Sequence, residues 1–140
     1  MCDYDVDYNL NLKESNIVSE DYAKRLASSK ICFITTGPAD LVGTRYFEVM
    51  AGNRSLILCN RMTTDVYEDI LIDGYNCVMF SDEDEFFGKA IYYLENEDSR
   101  MKIVNNAYEH FVTTQSWKIR SNQIKNIIGQ YTKWKINASF

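Results

Sequence analysis

The stretch ICFITTGPADLVGTRYFEVMAGNRSLILCN, residues 31–60, contains two short apolar runs separated by a loop and a helical segment. The runs, residues 31–34 and 56–59, have the length and continuous apolar character of strands that are covered on both faces. The loop, residues 35–43, leads into a helix predicted around residues 46–51. A strand, a crossover helix and a second strand predict two parallel strands of one sheet.

The same alternation continues on both sides of this stretch. Ser19 is placed to cap a helix before the first strand. A third apolar run, residues 77–80, follows a helix predicted over residues 65–72. Gly52 and Gly74 are placed to end the two helices between the strands. Short apolar strands alternating with helices predict an α/β fold built on a parallel sheet.

The last third of the chain is predicted to be helical. Ser81 is placed to cap the first of these helices, and a long last helix carries a row of apolar residues at helical spacing. The members of this row are Trp117, Ile124, Ile127, Ile128, Tyr131 and Trp134. Its aromatic side chains either pack in the core or form a surface for a partner, since interfaces are enriched in aromatic residues. The spacing allows both interpretations.

Composition excludes several classes of function. The 140 residues are 46% hydrophobic and 25% charged, which indicates one globular domain. The net charge of -5 disfavours binding to nucleic acid or to an anionic membrane through the chain as a whole. No apolar run is long enough to span a bilayer, and the acidic, polar N-terminus is unlike a secretory signal. A cytoplasmic protein is therefore predicted.

Metal and disulfide chemistry have little support in the sequence. The cysteines are Cys2, Cys32, Cys59 and Cys77, and their spacing is unlike that of a zinc site or a disulfide framework. Three of them lie inside apolar runs, where a free cysteine behaves as a small buried hydrophobe. The acidic run 82–85 follows Ser81, so it is better explained as favourable charge at a helix N-terminus than as a metal cluster. His110 is predicted to lie on a helix surface.

The loop 35–43 is the most plausible place for a ligand. In open α/β sheets, ligands bind beyond the carboxyl ends of the strands, and this loop leads from such an end into a helix N-terminus that favours anions. Arg45 adds a guanidinium that can bind phosphate, and Glu48 can accept hydrogen bonds from the two hydroxyls of a ribose. These residues fit a sugar nucleotide. They fit equally well an ordinary loop with Arg45 and Glu48 as a solvated i, i+3 ion pair.

The stretch GTRYFEVMAGNRSLILCN resembles the signature of GT-B glycosyltransferases, in particular group-1 transferases with a spore-maturation-protein-like C-terminal domain. Three other segments agree with it, in the same order along the chain: YAKRLASSKICF, DILIDGYNCVMFSDEDEF and SWKIR. The resemblance covers about residues 20–128. It implies that residues 19–140 form a partial Rossmann-like domain, the C-terminal half of a GT-B fold. Residues 1–18 are then an N-terminal extension or a remnant strand, since Val6, Tyr8, Leu10 and Leu12 alternate with polar residues.

The resemblance also assigns roles to the residues around the loop. Glu48 falls where the family holds the ribose of the donor, and Asp40 falls where the family has a carboxylate that contacts the transferred sugar. Gly43 and Thr44 fall where backbone amides approach the donor diphosphate, and Arg45 matches the spore-type pattern. The implied ligand is a nucleotide-diphosphate sugar, which is a substrate; no cofactor and no metal are expected.

Two functions follow as alternatives. In the first, the chain is the donor-binding part of a sugar transferase, incomplete on its own because the acceptor domain and the early strands of the donor domain have no counterpart here. A second chain is then expected to supply the missing Rossmann units. In the second, it is a non-catalytic α/β interaction domain derived from the same fold, which contacts a partner through the last helix. A sugar-nucleotide epimerase of GT-B architecture is a third possibility, disfavoured by the transferase-like motif around Glu48.

Overall fold

Three parallel strands form the centre of the fold. The computed structural model describes residues 19–37 and 39–137, so the strand predicted within residues 1–18 lies outside the described residues. The strands are β1 (Ile31–Ile34), β2 (Leu56–Asn60) and β3 (Val78–Phe80), in the spatial order β1-β2-β3. Ile31 lies opposite Leu56, and Leu58 lies opposite Val78. The predicted α/β fold with a parallel sheet is confirmed.

The described part of the chain contains five α-helices besides the sheet. They are α1 (Ser19–Ser28), α2 (Thr44–Gly52), α3 (Glu83–Glu95), α4 (Glu97–His110) and α5 (Trp117–Asn137). α2 connects β1 to β2, while α3 and α4 follow β3. A π-helical turn, Phe111–Gln115, separates α4 from α5. The long C-terminal helix is therefore confirmed, together with the helices that flank the sheet.

The core lies on both faces of β2. Ile57 and Cys59 belong to one apolar cluster with the α2 side chains, and Leu56 and Leu58 belong to a second cluster with side chains of α4. The contributors from the helices are Tyr46, Val49 and Met50 of α2 and Ile103 and Val104 of α4. All four apolar residues of β2 are buried. The continuous apolar run correctly predicted a strand that is covered on both sides.

The same prediction was wrong for β1. Its Phe33 side chain is 53% exposed, and within the described residues β1 is an edge strand that pairs with β2 alone. The Phe33 ring packs against Phe80 and Phe86, with ring centroids 5.8 Å and 5.1 Å apart. An aromatic residue in this strand is therefore partly open to solvent.

Two predicted helix ends are displaced by one residue. α2 includes Gly52, and Asn53 adopts the left-handed conformation with φ 49°, which asparagine tolerates better than most residues. α3 is capped by Asp82 and not by Ser81, because the Asp82 carboxylate accepts a hydrogen bond from the Glu85 amide at 2.8 Å. The acidic run thus lies at the N-terminus of α3, as predicted.

The helix predicted over residues 65–72 is wrong. The structure has a short 3₁₀ helix, Asp65–Tyr67, followed by turns. The buried Asn76 side chain accepts a hydrogen bond from the Ile72 amide at 2.8 Å and donates one to the Ile70 carbonyl at 2.9 Å. A continued helix would use these backbone groups itself, so the tertiary contact of Asn76 replaces it.

The last helix leaves the body of the domain. Ile119 and Arg120 are partly buried, but every side chain from 121 to 131 is exposed. Trp117 is 85% exposed and Tyr131 68%, so both lie on the surface; the side chain of Trp134 lies outside the described residues. Across the described residues, none of the helices combines the length and the apolar character needed to cross a membrane.

Candidate functional site

The loop 35–43 lies at the carboxyl edge of the sheet, as predicted. Two of its residues have positive φ: Gly37 at 68° and Asp40 at 46°. The Asp40 amide donates to the Gly37 carbonyl at 3.3 Å, and the Leu41 amide donates to the Thr36 carbonyl at 3.4 Å. These turns fold the loop back on itself and bring Asp40 near the residues that follow β2.

Asp40 connects two loops. Its Oδ1 accepts a hydrogen bond from the Thr36 hydroxyl at 2.9 Å, and its Oδ2 accepts bonds from the hydroxyl of Thr63 and, at 2.8 Å, from the Thr63 amide. The pKa of the Asp40 carboxyl lies below its ordinary value because Thr63 donates to it from both groups and Thr36 adds a further bond. The carboxylate that the resemblance places on the transferred sugar thus already binds protein donors.

Asn60, at the end of β2, extends this network. Its Oδ1 accepts a hydrogen bond from the Thr36 amide and its Nδ2 donates one to the Thr36 hydroxyl, both at 2.9 Å. The Thr36 hydroxyl in turn donates to Asp40. Polar side chains from the ends of β1 and β2 therefore hold the loop in one conformation.

The N-terminus of α2 is exposed and has no side-chain cap. Gly43 is the capping residue and supplies no side chain, and the first turn contains no acidic residue. Gly43 and Thr44 are both exposed to solvent. The amino end of a helix in this state attracts anions through its backbone N–H groups and its dipole.

Arg45 and Glu48 face α1. The Tyr22 hydroxyl of α1 donates a hydrogen bond to Glu48 Oε2 at 2.7 Å. The pKa of Tyr22 is raised, first by partial burial and then by this bond, while the nearby Arg45 guanidinium lowers it. The Arg45 and Glu48 side chains, both described, form no ion pair within 4 Å. Both lie near Tyr22 instead of pairing with each other.

An open cleft of about 340 Å³ lies beside the loop. It is lined by Ala39, Asp40, Leu41, Thr63, Thr64, Val66 and Tyr67. Of the predicted site residues, Asp40 is the one that lines it. The predicted site residues therefore lie in three places. Asp40 lies at the cleft, and Gly43 and Thr44 lie at the N-terminus of α2. Arg45 and Glu48 lie toward α1.

A second polar cluster was missed by the sequence reasoning. Arg61 donates from Nη2 to Asp73 Oδ2 at 2.8 Å and from Nε to the Ser81 hydroxyl at 3.3 Å. Asp73 Oδ1 accepts a bond from the Met79 amide at 2.8 Å, and Lys89 donates to the Met79 carbonyl and to Glu85. Arg61 and Ser81 follow β2 and β3 closely, so their position after an apolar run is the signal that could have found them.

The cysteines and the single histidine lie partly where the sequence predicts them. Within residues 19–37 and 39–137, no cluster of three His, Cys, Asp or Glu side chains is arranged to hold a metal ion. Cys59 and Cys77 are buried free thiols and Cys32 is a partly buried one, in agreement with the prediction. His110, expected on a helix surface, is partly buried, and its Nε2 has no hydrogen-bond partner. α4 runs directly into the π-helical turn, which packs against both α4 and α2 and covers this end of the helix.

Comparison with known proteins identifies one family. A family model described as glycosyl transferase-like matches residues 4–126, which is most of the chain. The match agrees with the resemblance to group-1 GT-B transferases and does not extend to the spore-maturation subtype. A search of curated proteins found no match.

Proposed function

Since this chain belongs to the glycosyl transferase-like family, we propose that it binds a nucleotide-diphosphate sugar at the N-terminus of α2. The general activity of the family is glycosyl transfer. The observation that carries the proposal is the exposed, uncapped end of α2 at the carboxyl edge of the parallel sheet. Such a helix end stabilises a diphosphate through backbone N–H groups and the helix dipole.

Arg45 and Glu48 complete this binding site in the proposal. Arg45 is exposed within the first turn of α2 and supplies the positive charge that a diphosphate requires. Glu48 lies one turn further along the helix. Tyr22 donates a hydrogen bond to Oε2 of Glu48, and in the described part of the chain Oε1 has no partner. Oε1 is therefore the oxygen that accepts a hydrogen bond from a ribose hydroxyl. Tyr22 thereby fixes the direction of the carboxylate.

Asp40 contacts the transferred sugar in this proposal. The cleft beside it has polar groups from Thr63 and Thr64 and apolar groups from Leu41 and Val66, a combination that suits a sugar ring. Because Thr36 and Thr63 hold both carboxylate oxygens, Asp40 is oriented before the donor arrives. A sugar hydroxyl then donates to a remaining lone pair of the carboxylate.

The chain acts as an incomplete transferase in this proposal. In the described sheet β1 pairs with β2 alone, and its Phe33 side chain remains partly exposed. A second chain that supplies further Rossmann units would pair with the open edge of β1 and cover Phe33. The proposal therefore places the acceptor site on that partner.

The test is an amide proton–nitrogen NMR titration with UDP. We expect chemical-shift changes confined to Gly43, Thr44, Arg45 and their neighbours. These changes should be lost in Glu48→Ala. They should be retained in the control Glu109→Ala, which removes an exposed carboxylate from α4. A larger response to UDP-glucose than to UDP, reduced in Asp40→Asn, would support the sugar contact. A dispersed spectrum that does not respond to UDP, GDP or ADP would contradict the proposal.

A non-catalytic interaction domain is the second candidate, and the exposure of α5 favours it. Trp117 and Tyr131 lie open to solvent in the last helix, where a partner can contact them. This function predicts no nucleotide binding and loss of the partner when Trp117 or Trp134 is altered. The NMR titration therefore separates the two candidates.

A further inference from the structure

Charge is segregated along this chain. The sequence of α5, WKIRSNQIKNIIGQYTKWKIN, contains Lys118, Arg120, Lys125, Lys133 and Lys135 and no acidic residue. All 20 Asp and Glu residues of the chain therefore lie outside it. The net charge of -5 is the sum of a basic helix and an acidic remainder of the chain. A charge asymmetry of this kind indicates a local interaction that the total charge does not.

α5 also presents an apolar row to solvent. Trp117, Ile124 and Tyr131 are separated by seven residues, and Ile127 lies between the last two, so the four side chains share one side of the helix. Their exposed fractions are 53% or more. Helices in proteins owe most of their stability to burial of such a row, and here the body of the domain does not bury it.

Lysine side chains flank this row. Lys118 follows Trp117 and Lys125 follows Ile124, so both lie about 100° around the helix from the apolar residues. Both are exposed. Arg120 lies on the apolar side as well, but it is partly buried and donates a hydrogen bond to Gln115. Beyond Arg120, the helix has aromatic and aliphatic residues on one side and lysines beside them, which suits the boundary between lipid headgroups and acyl chains.

We propose that α5 binds the surface of an anionic lipid bilayer, with its axis in the plane of the membrane. Trp117, Ile124, Ile127 and Tyr131 enter the boundary between headgroups and acyl chains together, and Lys118 and Lys125 contact anionic headgroups. Charge favours this occupant over the α5 helix of a second copy, since two copies of α5 would bring like charges together. The acidic domain is repelled by the same surface, which suits a helix that extends beyond it.

Tryptophan fluorescence provides a direct test in the whole chain. Both tryptophans, Trp117 and Trp134, belong to α5, so the emission spectrum reports on this helix. We expect a blue shift of the emission with phosphatidylcholine vesicles that contain about 30% phosphatidylglycerol, and no shift with vesicles of phosphatidylcholine alone. The shift should decrease as salt is added, because salt screens the lysines. Trp134→Phe leaves Trp117 as the single reporter.

Matched variants separate the two contributions. Lys118→Gln combined with Lys125→Gln should weaken vesicle binding about thirty-fold, since each basic residue near the surface contributes about five-fold. The control is Lys30→Gln with Lys102→Gln, which removes two exposed lysines outside α5. Ile127→Asp should abolish binding, while Ile91→Asp, at an exposed isoleucine of α3, should not. Circular dichroism on each variant verifies the fold.

Three outcomes would overturn the proposal. One is the absence of binding to anionic vesicles by the folded chain. Another is equal binding to neutral and anionic vesicles, which would exclude the role of the lysines. The third is a blue shift without vesicles that increases with protein concentration, accompanied by a dimer in analytical ultracentrifugation; a second copy would then be the occupant. None of these outcomes depends on nucleotide binding at α2.

Discussion

α2 and α5 are both helices with apolar residues at helical spacing, yet the structure uses them differently. α2 buries Tyr46, Val49 and Met50 against the sheet, whereas every side chain of α5 from 121 to 131 is exposed. The periodic pattern is the same in kind, so it predicts a helix in both places. Position in the fold decides whether the apolar row stabilises the domain or remains available for binding.

Paired truncations in the two helices test this comparison most strongly. Met50→Ala should lower the free energy of unfolding by about 3 kcal/mol, because it removes a buried side chain and leaves a cavity. Ile127→Ala should change it by less than about 0.5 kcal/mol, because the side chain is already exposed. Urea denaturation measures both. Similar losses for the two variants would show that α5 packs on the domain in solution.

A second pair compares asparagines. Asn76→Ala should cost about 2 kcal/mol, since the Ile72 amide and the Ile70 carbonyl would lose their buried partner. Asn122→Ala, on the exposed surface of α5, should have little effect on the free energy of unfolding. If Asn76→Ala were neutral, the turns after Tyr67 would not depend on the Asn76 amide.

Local pattern was enough to predict the sheet. Continuous apolar runs identified the three described strands, and the reason holds best for β2, since a strand buried on both faces needs apolar residues on each of them. The carboxyl edge of the sheet, and with it the loop 35–43, followed from the parallel arrangement. The end of α2 was displaced by one residue, because Asn53 accepts the left-handed conformation that Gly52 was expected to supply.

Contacts between distant residues were not predictable in the same way. Asp40 binds Thr63, 23 positions away, and Glu48 binds Tyr22, 26 positions away. No periodicity in either segment encodes these partners, since they depend on how loops and helices meet around the sheet. The failed helix over residues 65–72 has the same cause, because Asn76 competes for its backbone groups.

Acid should reveal the role of Asp40. Its pKa is lowered in the folded state, so its contribution to stability is present above its ordinary value of 3.8 and is lost as pH falls through the folded pKa. The difference in unfolding free energy between the native chain and Asp40→Asn should therefore be constant between about pH 5 and 7 and should decrease below about pH 4. Asparagine suits the comparison because it tolerates the positive φ at this position.

The control is Asp98→Asn, at an exposed carboxylate in the first turn of α4. No threonine hydroxyl or amide holds that carboxylate in the described structure, so this variant removes an exposed carboxylate without removing the bonds from Thr36 and Thr63. A pH-independent difference for Asp40→Asn would mean that the bonds from Thr36 and Thr63 do not depend on the charge of Asp40.

Tyr22→Phe should have only a small effect on the free energy of unfolding, because it removes a single contact between α1 and α2. The lost hydrogen bond to Glu48 lies at the surface, so the free energy of unfolding should fall by less than about 0.5 kcal/mol. The pKa of Tyr22 is raised above 10.0, so this small contribution is present below that pH and is lost as pH rises through the folded pKa. Tyr75→Phe, at an exposed tyrosine, is the control.

The informative result for Tyr22→Phe is the split between stability and binding. If Tyr22 directs the Glu48 carboxylate toward a ribose, the variant should weaken UDP binding measured by NMR while the fold remains as stable as the native chain. Unchanged UDP binding would show that Glu48 keeps its direction without Tyr22. In either case α1 contributes little to stability through this contact, and weaker UDP binding by the variant would show that its role is to position a side chain of α2.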